Sequence, residues 1–459
     1  MSVAVGDTIA AIATARGVSA LAVVRLSGPR AIEILDSCWR GFDGRLADAA
    51  TRTVHVGILS APDGESIDQV VVTLFRAPAS PTGEDVVEIS CHGGAVVPGR
   101  ILDRLLQEGA RAAGPGEFTQ RAFIHGKIDL AQAEAVADVI HAQATRAQRS
   151  AQKQLNGRFS ALLGRLREEL IGFCGLIELE LDFSDTDQTF ADLQRLRGIL
   201  KQVQDTVSAL LDHGRSGDLL REGVRVVIAG LPNAGKSTLL NALVGHERVI
   251  VSEHPGTTRD LVEVDLEVDG ILFRLVDTAG LRDTDDTVES EGVRRARRAL
   301  EGADVVVYVF DGTTKLLPEE SSLLKELEAG IPRIVVANKS DLIVGTDTQT
   351  GSVISFSARS ACNDPNELSP LLNALVAAVV PMVRDADDSP ALLNTRHRAH
   401  LRAAGEALGR VEAGLDAQVT GDLLAVDLRL ALHELGSITG EITSEDVLDT
   451  VFARFCIGK

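Results

Sequence analysis

Val224-Arg-Val-Val-Ile-Ala-Gly230-Leu-Pro-Asn-Ala-Gly235-Lys236-Ser237-Thr238-Leu-Leu-Asn-Ala-Leu243 decides how the centre of the chain folds. Val224–Ala229 is almost wholly apolar and rich in β-branched residues, the composition of a strand buried on both faces. A glycine-bounded loop follows, and Thr238–Leu243 carries apolar residues at helical spacing. A strand, a Gly-x-x-x-x-Gly-Lys-Ser loop and a helix in that order form a phosphate-binding loop. Its glycines let backbone N–H groups wrap a phosphate, and the helix N-terminus adds positive potential. Asn233, Ala234, Gly235 and Thr238 line this cradle, Lys236 reaches for the β- and γ-phosphates, and Ser237 is a ligand for Mg2+.

Outward from the loop the same strand type recurs. Ile271–Val276, Asp304–Phe310, Arg333–Ala337 and Ser352–Phe356 are short apolar runs separated by helical stretches. They predict a Ras-like α/β domain over residues 223–379, with a mostly parallel sheet and helices on both sides. Polar motifs sit where these strands end. In Asp277-Thr278-Ala279-Gly280 the aspartate can hold the magnesium shell and the Gly280 amide can sense a γ-phosphate. Gly256-Thr257-Thr258-Arg259-Asp260 offers a threonine to close over Mg2+. Asn338-Lys339-Ser340-Asp341 supplies a carboxylate that accepts from guanine's ring N–H and exocyclic amine, which adenine does not offer in that arrangement. Ser357-Ala358-Arg359 closes the base pocket, so the expected nucleotide is GTP. Leu281 stands where a water-positioning glutamine is usual, and a leucine cannot orient water. The acidic stretch 283–291 and a monovalent cation near Asn233 are candidates for the missing help.

The whole chain of 459 residues is too long for one core and suggests about three domains. It is 45% hydrophobic but only 3% aromatic, so aliphatic residues must fill the cores. Five scattered cysteines without C-x-x-C spacing argue against a disulfide framework or zinc site. With no basic n-region at the start and apolar runs such as Val305–Phe310 too short for a bilayer, a cytoplasmic location and no membrane are expected. A net charge of −20 favours solubility and argues against a protein that coats nucleic acid, so any nucleic acid must meet a local basic surface or be held by a partner. Arg146–Arg167 and Arg396–Arg402 are the local basic stretches, and a solvated helix face is the simpler reading of each.

Residues 1–122 read as mixed α/β, with strands at Ala20–Leu26, Gln69–Phe75 and Asp85–Ser90 and a helix at Pro98–Glu108. Residues 123–222 turn helical, through Leu130–Ile140 and Leu155–Leu181, and residues 380–459 return to helix at Thr395–Leu415 and Gly421–Ser437. The simplest assembly packs the two helical pieces together, with the α/β domain inserted between them.

The phosphate loop, the Gly-Thr-Thr-Arg-Asp stretch, Pro115-Gly-Glu-Phe-Thr-Gln-Arg-Ala-Phe123 and the final Cys456-Ile-Gly-Lys459 together resemble the MnmE (TrmE) family of tRNA-modification GTPases over essentially the whole chain. The resemblance implies a homodimer formed through an N-terminal domain that binds a one-carbon tetrahydrofolate of the 5-formyl or methylene type. It implies a heterotetramer with the flavin protein MnmG, the flavin being on that partner. Together they would install a (carboxymethyl)aminomethyl group at C5 of the wobble uridine of certain tRNAs. It further implies potassium-stimulated hydrolysis, with Asn233, Ser252, His254 and Thr257 around K+, Ser237 and Thr258 on Mg2+, and Glu289 positioning the attacking water. Folate contacts carry over to Arg25, Glu88, Lys127 and Lys459, which read alone as structural or surface charges. Two positions depart from the family pattern: His254 stands where an apolar residue is common, and the turn 14–20 lacks a Pro-Gly. Cys456 has no base partner in sequence, and Cys91-His92 reads as packing and a strand end. Two other readings are a regulatory GTPase switch, for example in ribosome assembly, and an independent one-carbon transferase with an accessory G domain.

Overall fold

The computed structural model describes residues 6–42, 44–182, 193–245, 249–250, 263–277, 302–314, 330–342, 353–388, 391–442, 445–453 and 455–459. The chain divides into two units. One holds Met1–Ala137, Leu155–Phe190 and Arg410–Lys459; the other holds Asp138–Gln154 and Ala191–Gly409.

The first unit is built on a sheet of β1 (Ile9–Ile12), β2 (Leu21–Ser27), β3 (Trp39–Gly41), β4 (Thr53–Ser60), β5 (Ser66–Phe75), β6 (Val86–His92) and β7 (Arg111–Ala112), in the order β3-β4-β5-β6-β2-β1-β7. All neighbours run antiparallel except β1 and β7. Period-two alternation puts Ala22, Val24 and Leu26, Val70, Val72 and Leu74, and Val87, Ile89 and Cys91 on one buried face. The helices Ala31–Cys38 and Val97–Gln107 share that core. Each Val, Leu or Ile among them, fully buried, contributes roughly 1.5–3 kcal/mol. Strands β3 and β4 went unread in the sequence because glycines and polar residues interrupt their apolar alternation.

The two long helices of this unit, Arg158–Asp182 and Gly421–Thr439, pack together. Arg167 pairs with Glu441, and its guanidinium lies over Gly436, where an added Cβ would sit 3.5 Å from it. The expected helix from Leu155 starts later, because Gly157 has a φ of +81° and separates Thr145–Leu155 from Arg158–Asp182.

The second unit carries β8 (Val224–Ala229), β9 (Val249–Ile250), β10 (Glu263–Val268), β11 (Ile271–Asp277), β12 (Val305–Asp311), β13 (Arg333–Asn338) and β14 (Val353–Ser355), in the order β14-β13-β12-β8-β11-β10-β9. The five strands β8 and β11 to β14 are parallel, as expected. β9, at one edge, and β10 beside it are antiparallel. The sequence of β10, Glu-Val-Asp-Leu-Glu-Val, has the alternation of a one-sided strand and not the apolar run of a central one.

Contrary to the expectation that no apolar run is long enough for a bilayer, Pro365–Arg384 meets that test by length and composition. Leu371, Leu375, Val379 and Val383 recur at helical spacing along it and are buried in the core of the second unit, so the segment is a core helix of the sheet. The helix, Ser369–Asp388, also runs through Pro381 and across the expected domain boundary at 379/380.

Candidate active site

The phosphate loop is held by steric need. Gly230 has a φ of +147°, and a Cβ there would lie 2.0 Å from the Val309 carbonyl oxygen of the neighbouring strand. Gly235 has a φ of +93° and a Cβ would lie 2.1 Å from Asn338 Nδ2. Asn233 takes a left-handed φ of 67°, a conformation asparagine tolerates better than most residues. The helix Lys236–Val244 begins directly after Gly235. Lys236 is only 8% exposed, and its Nζ donates to the carbonyls of Gly230 and Leu231, both at 2.9 Å. The ammonium is therefore already folded over the loop that would hold the phosphates. Ser237 and Thr238 lie exposed at the start of that helix.

The residues expected from the sequence to meet the base gather at the same edge of the sheet. Asn338, at the end of β13 and 3% exposed, donates from Nδ2 to the Ala234 carbonyl at 2.8 Å and accepts at Oδ1 from the Ala358 N–H at 2.9 Å. One side chain thus ties the phosphate loop to the Ser357-Ala358-Arg359 turn. The Ser357 hydroxyl donates to Asp341 Oδ1 at 2.6 Å and accepts from the Ser360 N–H at 3.2 Å, fixing that carboxylate. Arg359 is exposed on the following turn. Lys339 has a φ of 66°, and its Nζ lies 2.5 Å from Asp311 Oδ2.

Asp311 was not singled out in the sequence. It ends β12 opposite Asn338, and its other oxygen accepts from the Thr313 N–H and hydroxyl. Lys339 beside it, with Thr313, holds its carboxyl below the usual range, so it stays ionised and anchors Lys339. The available signal was its place at the carboxyl end of a buried strand, where open α/β sheets bind ligands.

Asp277 closes β11, in register with Ile228 of β8 two residues before the loop. Ser252, His254, Thr257, Thr258, Thr278, Ala279, Gly280 and Glu289 lie outside the described residues.

In the first unit, Arg25 of β2 and Glu88 of β6 are register partners. Their side chains meet, with Nε to Oε1 at 2.9 Å and the second guanidinium nitrogen at 2.7 Å. The Arg25 guanidinium also lies 5.6 Å above the Phe118 ring. Lys127 is exposed, with its Cε beside Gly83. The C-terminal tail returns to this region. Ile457 bridges to Pro115, and Gly458, with a φ of +96°, lies so close to β1 that a Cβ would be 2.4 Å from the Ile12 carbonyl oxygen. Arg25 pairs with Ala11 on that same strand. The structure therefore brings Arg25 and Glu88 into contact and seats the tail that ends in Lys459 one strand away.

A charged cluster that the sequence did not reveal lies beside them. Arg121, 2% exposed, reaches the Asp7 carbonyl at 2.9 Å, Glu84 at 3.0 Å and Glu117 at 3.1 Å, and also pairs with the Asp7 carboxylate. Arg111 bridges Asp7 and Glu117 from the other side. Burial pushes the Glu117 carboxyl up, but Arg111, the Gly114 N–H and Arg121 outweigh it and hold it low. Of the basic stretches, Arg167 is paired with Glu441 and Arg398 with Asp218, and both arginines are largely buried.

A phosphate loop and a carboxylate held by a hydroxyl, both at the carboxyl edge of a mostly parallel sheet, have the form of the site in GTPases of the P-loop class. The family description "MnmE helical domain" matches residues 130–456, and "GTP-binding protein TrmE N-terminus" matches residues 8–127. The tRNA modification GTPase MnmE of Salinibacter ruber is 55% identical over 460 residues, covering 99% of each chain. That of Cytophaga hutchinsonii is 43% identical, covering 99% of this chain and 98% of its own. Among solved structures, the G domain of the T. maritima FeoB iron transporter is 28% identical over 34% of this chain and 98% of that one, at a TM-score of 0.26. The chain belongs to the MnmE (TrmE) family of tRNA modification GTPases. It is a GTPase acting in tRNA modification, with the Mg2+ use that this class of site entails.

Proposed function

We propose that this chain is a potassium-stimulated GTP hydrolase that works as a homodimer with the flavin protein MnmG, in the cytoplasm, on C5 of the wobble uridine of tRNA, using a one-carbon tetrahydrofolate. In this reading residues 1–122 hold the folate, 223–379 form the G domain, and 123–222 with 380–459 make the helical domain. Asn233, Ser252, His254 and Thr257 surround K+, Ser237 and Thr258 hold Mg2+, and Glu289 orients the attacking water. Arg25, Glu88, Lys127 and Lys459 contact the folate.

The observation that carries the reading is the return of the C-terminal tail to the strand next to Arg25. A Gly458 with a φ of +96° that tolerates no Cβ seats residues 456–459 tightly against β1, which supports a role for them there. It supports a site where cations meet the glutamate tail of a folate and Glu88 meets its pterin amide and amine. The charge that builds on GTP during hydrolysis needs a cation, and the exposed Asn233 beside the loop supports K+ in that role.

The test measures GTP turnover in K+ and in Na+ for the wild-type chain and for Glu289→Ala. Hydrolysis should slow sharply in Na+, and the variant should bind GTP normally while losing turnover. Equal rates in the two salts would remove K+ from the mechanism, and normal turnover by the variant would remove Glu289.

A further inference from the structure

The turn between β10 and β11 is docked on the start of a helix 122 residues earlier in the chain. Val268 pairs with Ile271, which leaves Asp269 and Gly270 as a two-residue turn with φ of 50° and 78°, the mirror-image turn that suits a tight hairpin. A Glu267 carboxylate oxygen accepts from both the backbone N–H and the hydroxyl of Thr145, at 2.9 and 2.7 Å. The Gly270 carbonyl accepts from the Arg146 N–H at 3.0 Å, and the Asp269 carbonyl from Arg146 Nε at 3.0 Å. Two of the N–H groups that a helix leaves unpaired at its start are thus capped by the hairpin, and the carboxylate sits where the helix dipole favours it. A Cβ on Gly270 would stand 3.0 Å from Arg146 Cγ, so the turn is in close contact as well as hydrogen-bonded.

The far ends of the same hairpin run into the nucleotide-sensing stretches of the sequence. β10 follows 256–260, and β11 ends at Asp277, which opens 277–280. β11 also pairs with β8, the strand that feeds the phosphate loop. The hairpin is therefore joined along the chain at one end to stretches 256–260 and 277–280, and is hydrogen-bonded at the other to the start of the helix Thr145–Leu155. That helix leads along the chain into Arg158–Asp182.

We infer that the Glu267–Gly270 turn is a positioning device that passes the nucleotide state of the G domain to the helical segment, with Glu267 on Thr145 as its principal contact. The inference rests on the chain being a GTPase in tRNA modification. Glu267 and Thr145 bond each other at the end of the hairpin away from Asp277 and the phosphate loop, so their loss should uncouple hydrolysis from modification and leave hydrolysis itself intact.

The test replaces the chain in cells by Glu267→Ala, Thr145→Val or Glu267→Gln, and compares wobble-uridine modification, by nucleoside mass spectrometry, with GTP turnover of the purified full-length proteins. Glu267→Ala and Thr145→Val should lower modification roughly fivefold or more, the usual scale of coupling between sites, with turnover within about twofold of wild type. Glu267→Gln keeps an acceptor oxygen for Thr145 and should restore most of the modification. A parallel fall in turnover and modification would make the turn a support of the G domain alone, and unchanged modification would remove the device altogether. The wild-type control separates this from failure of the underlying reading, which would show as no dependence of modification on the chain at all.

Discussion

Asn338 uses both ends of its amide on backbone groups of two different loops, and it is nearly without solvent contact. Asn338→Ala would leave the Ala358 N–H and the Ala234 carbonyl buried without that partner, at a cost of roughly 1–3 kcal/mol. GTP affinity, measured by calorimetry, should fall about tenfold or more, since the phosphate loop and base pocket lose their tie. An unchanged affinity would mean the two loops are held independently. The cysteines give a second residue-scale outcome. Burial pushes the thiols of Cys38 and Cys91 up to about 11, and Cys174 is also buried, whereas Cys362 and Cys456 are exposed. Brief alkylation of the native protein at pH 8 should label Cys362 and Cys456, with the other three protected until denaturant is added. Labelling of Cys91 at a comparable rate would contradict its packing under the sheet.

The helix Glu117–Ile124 shows what an element can carry that its sequence does not announce. Its motif was legible as a family mark, but the partners of Arg121 at Glu84 and Asp7 are 37 and 114 residues away, and no periodicity points to them. Glu117 closes back on the Gly114 N–H, Phe118 lies under Arg25, and Arg121 fills the carboxylate cage, so the helix fixes the Arg25–Glu88 pair from below. Arg121→Ala would leave Asp7, Glu84 and Glu117 facing one another with only Arg111, which should cost roughly 3–5 kcal/mol. The transition of the first unit should move to lower urea or temperature, and an unmoved transition would show that the cage is not structural. Acid should act on the same cluster. The Asp7 and Glu117 carboxyls lie below their ordinary values of 3.8 and 4.5, so their contribution is complete above those values and is lost as pH falls through the lowered ones. Acid unfolding of the wild type should therefore begin below about pH 4, and Arg121→Ala should shift its midpoint upward.

At the scale of the molecule, the central domain was legible because its strands are buried on both faces and its loops obey fixed spacings. Val224–Ala229 was read to the residue, and Arg333–Ala337 to within one. β9 and β10 were not, since β9 has only two residues and β10 alternates acidic and apolar residues in place of an apolar run. The core helix Ser369–Asp388 shows the converse, an apolar length that only its packing identifies as core. The tie through Asn338 was equally hidden, because a side chain that bonds two backbone groups leaves no pattern beyond its own identity. Family membership joins these pieces into a GTPase acting in tRNA modification. The most direct measurement is mass spectrometry of tRNA nucleosides from cells lacking the chain, complemented either by wild type or by Lys236→Ala. C5-aminomethyl-type wobble uridines should vanish without the chain, return with wild type and stay absent with Lys236→Ala. Their full return with Lys236→Ala would contradict a role for the nucleotide site in the modification.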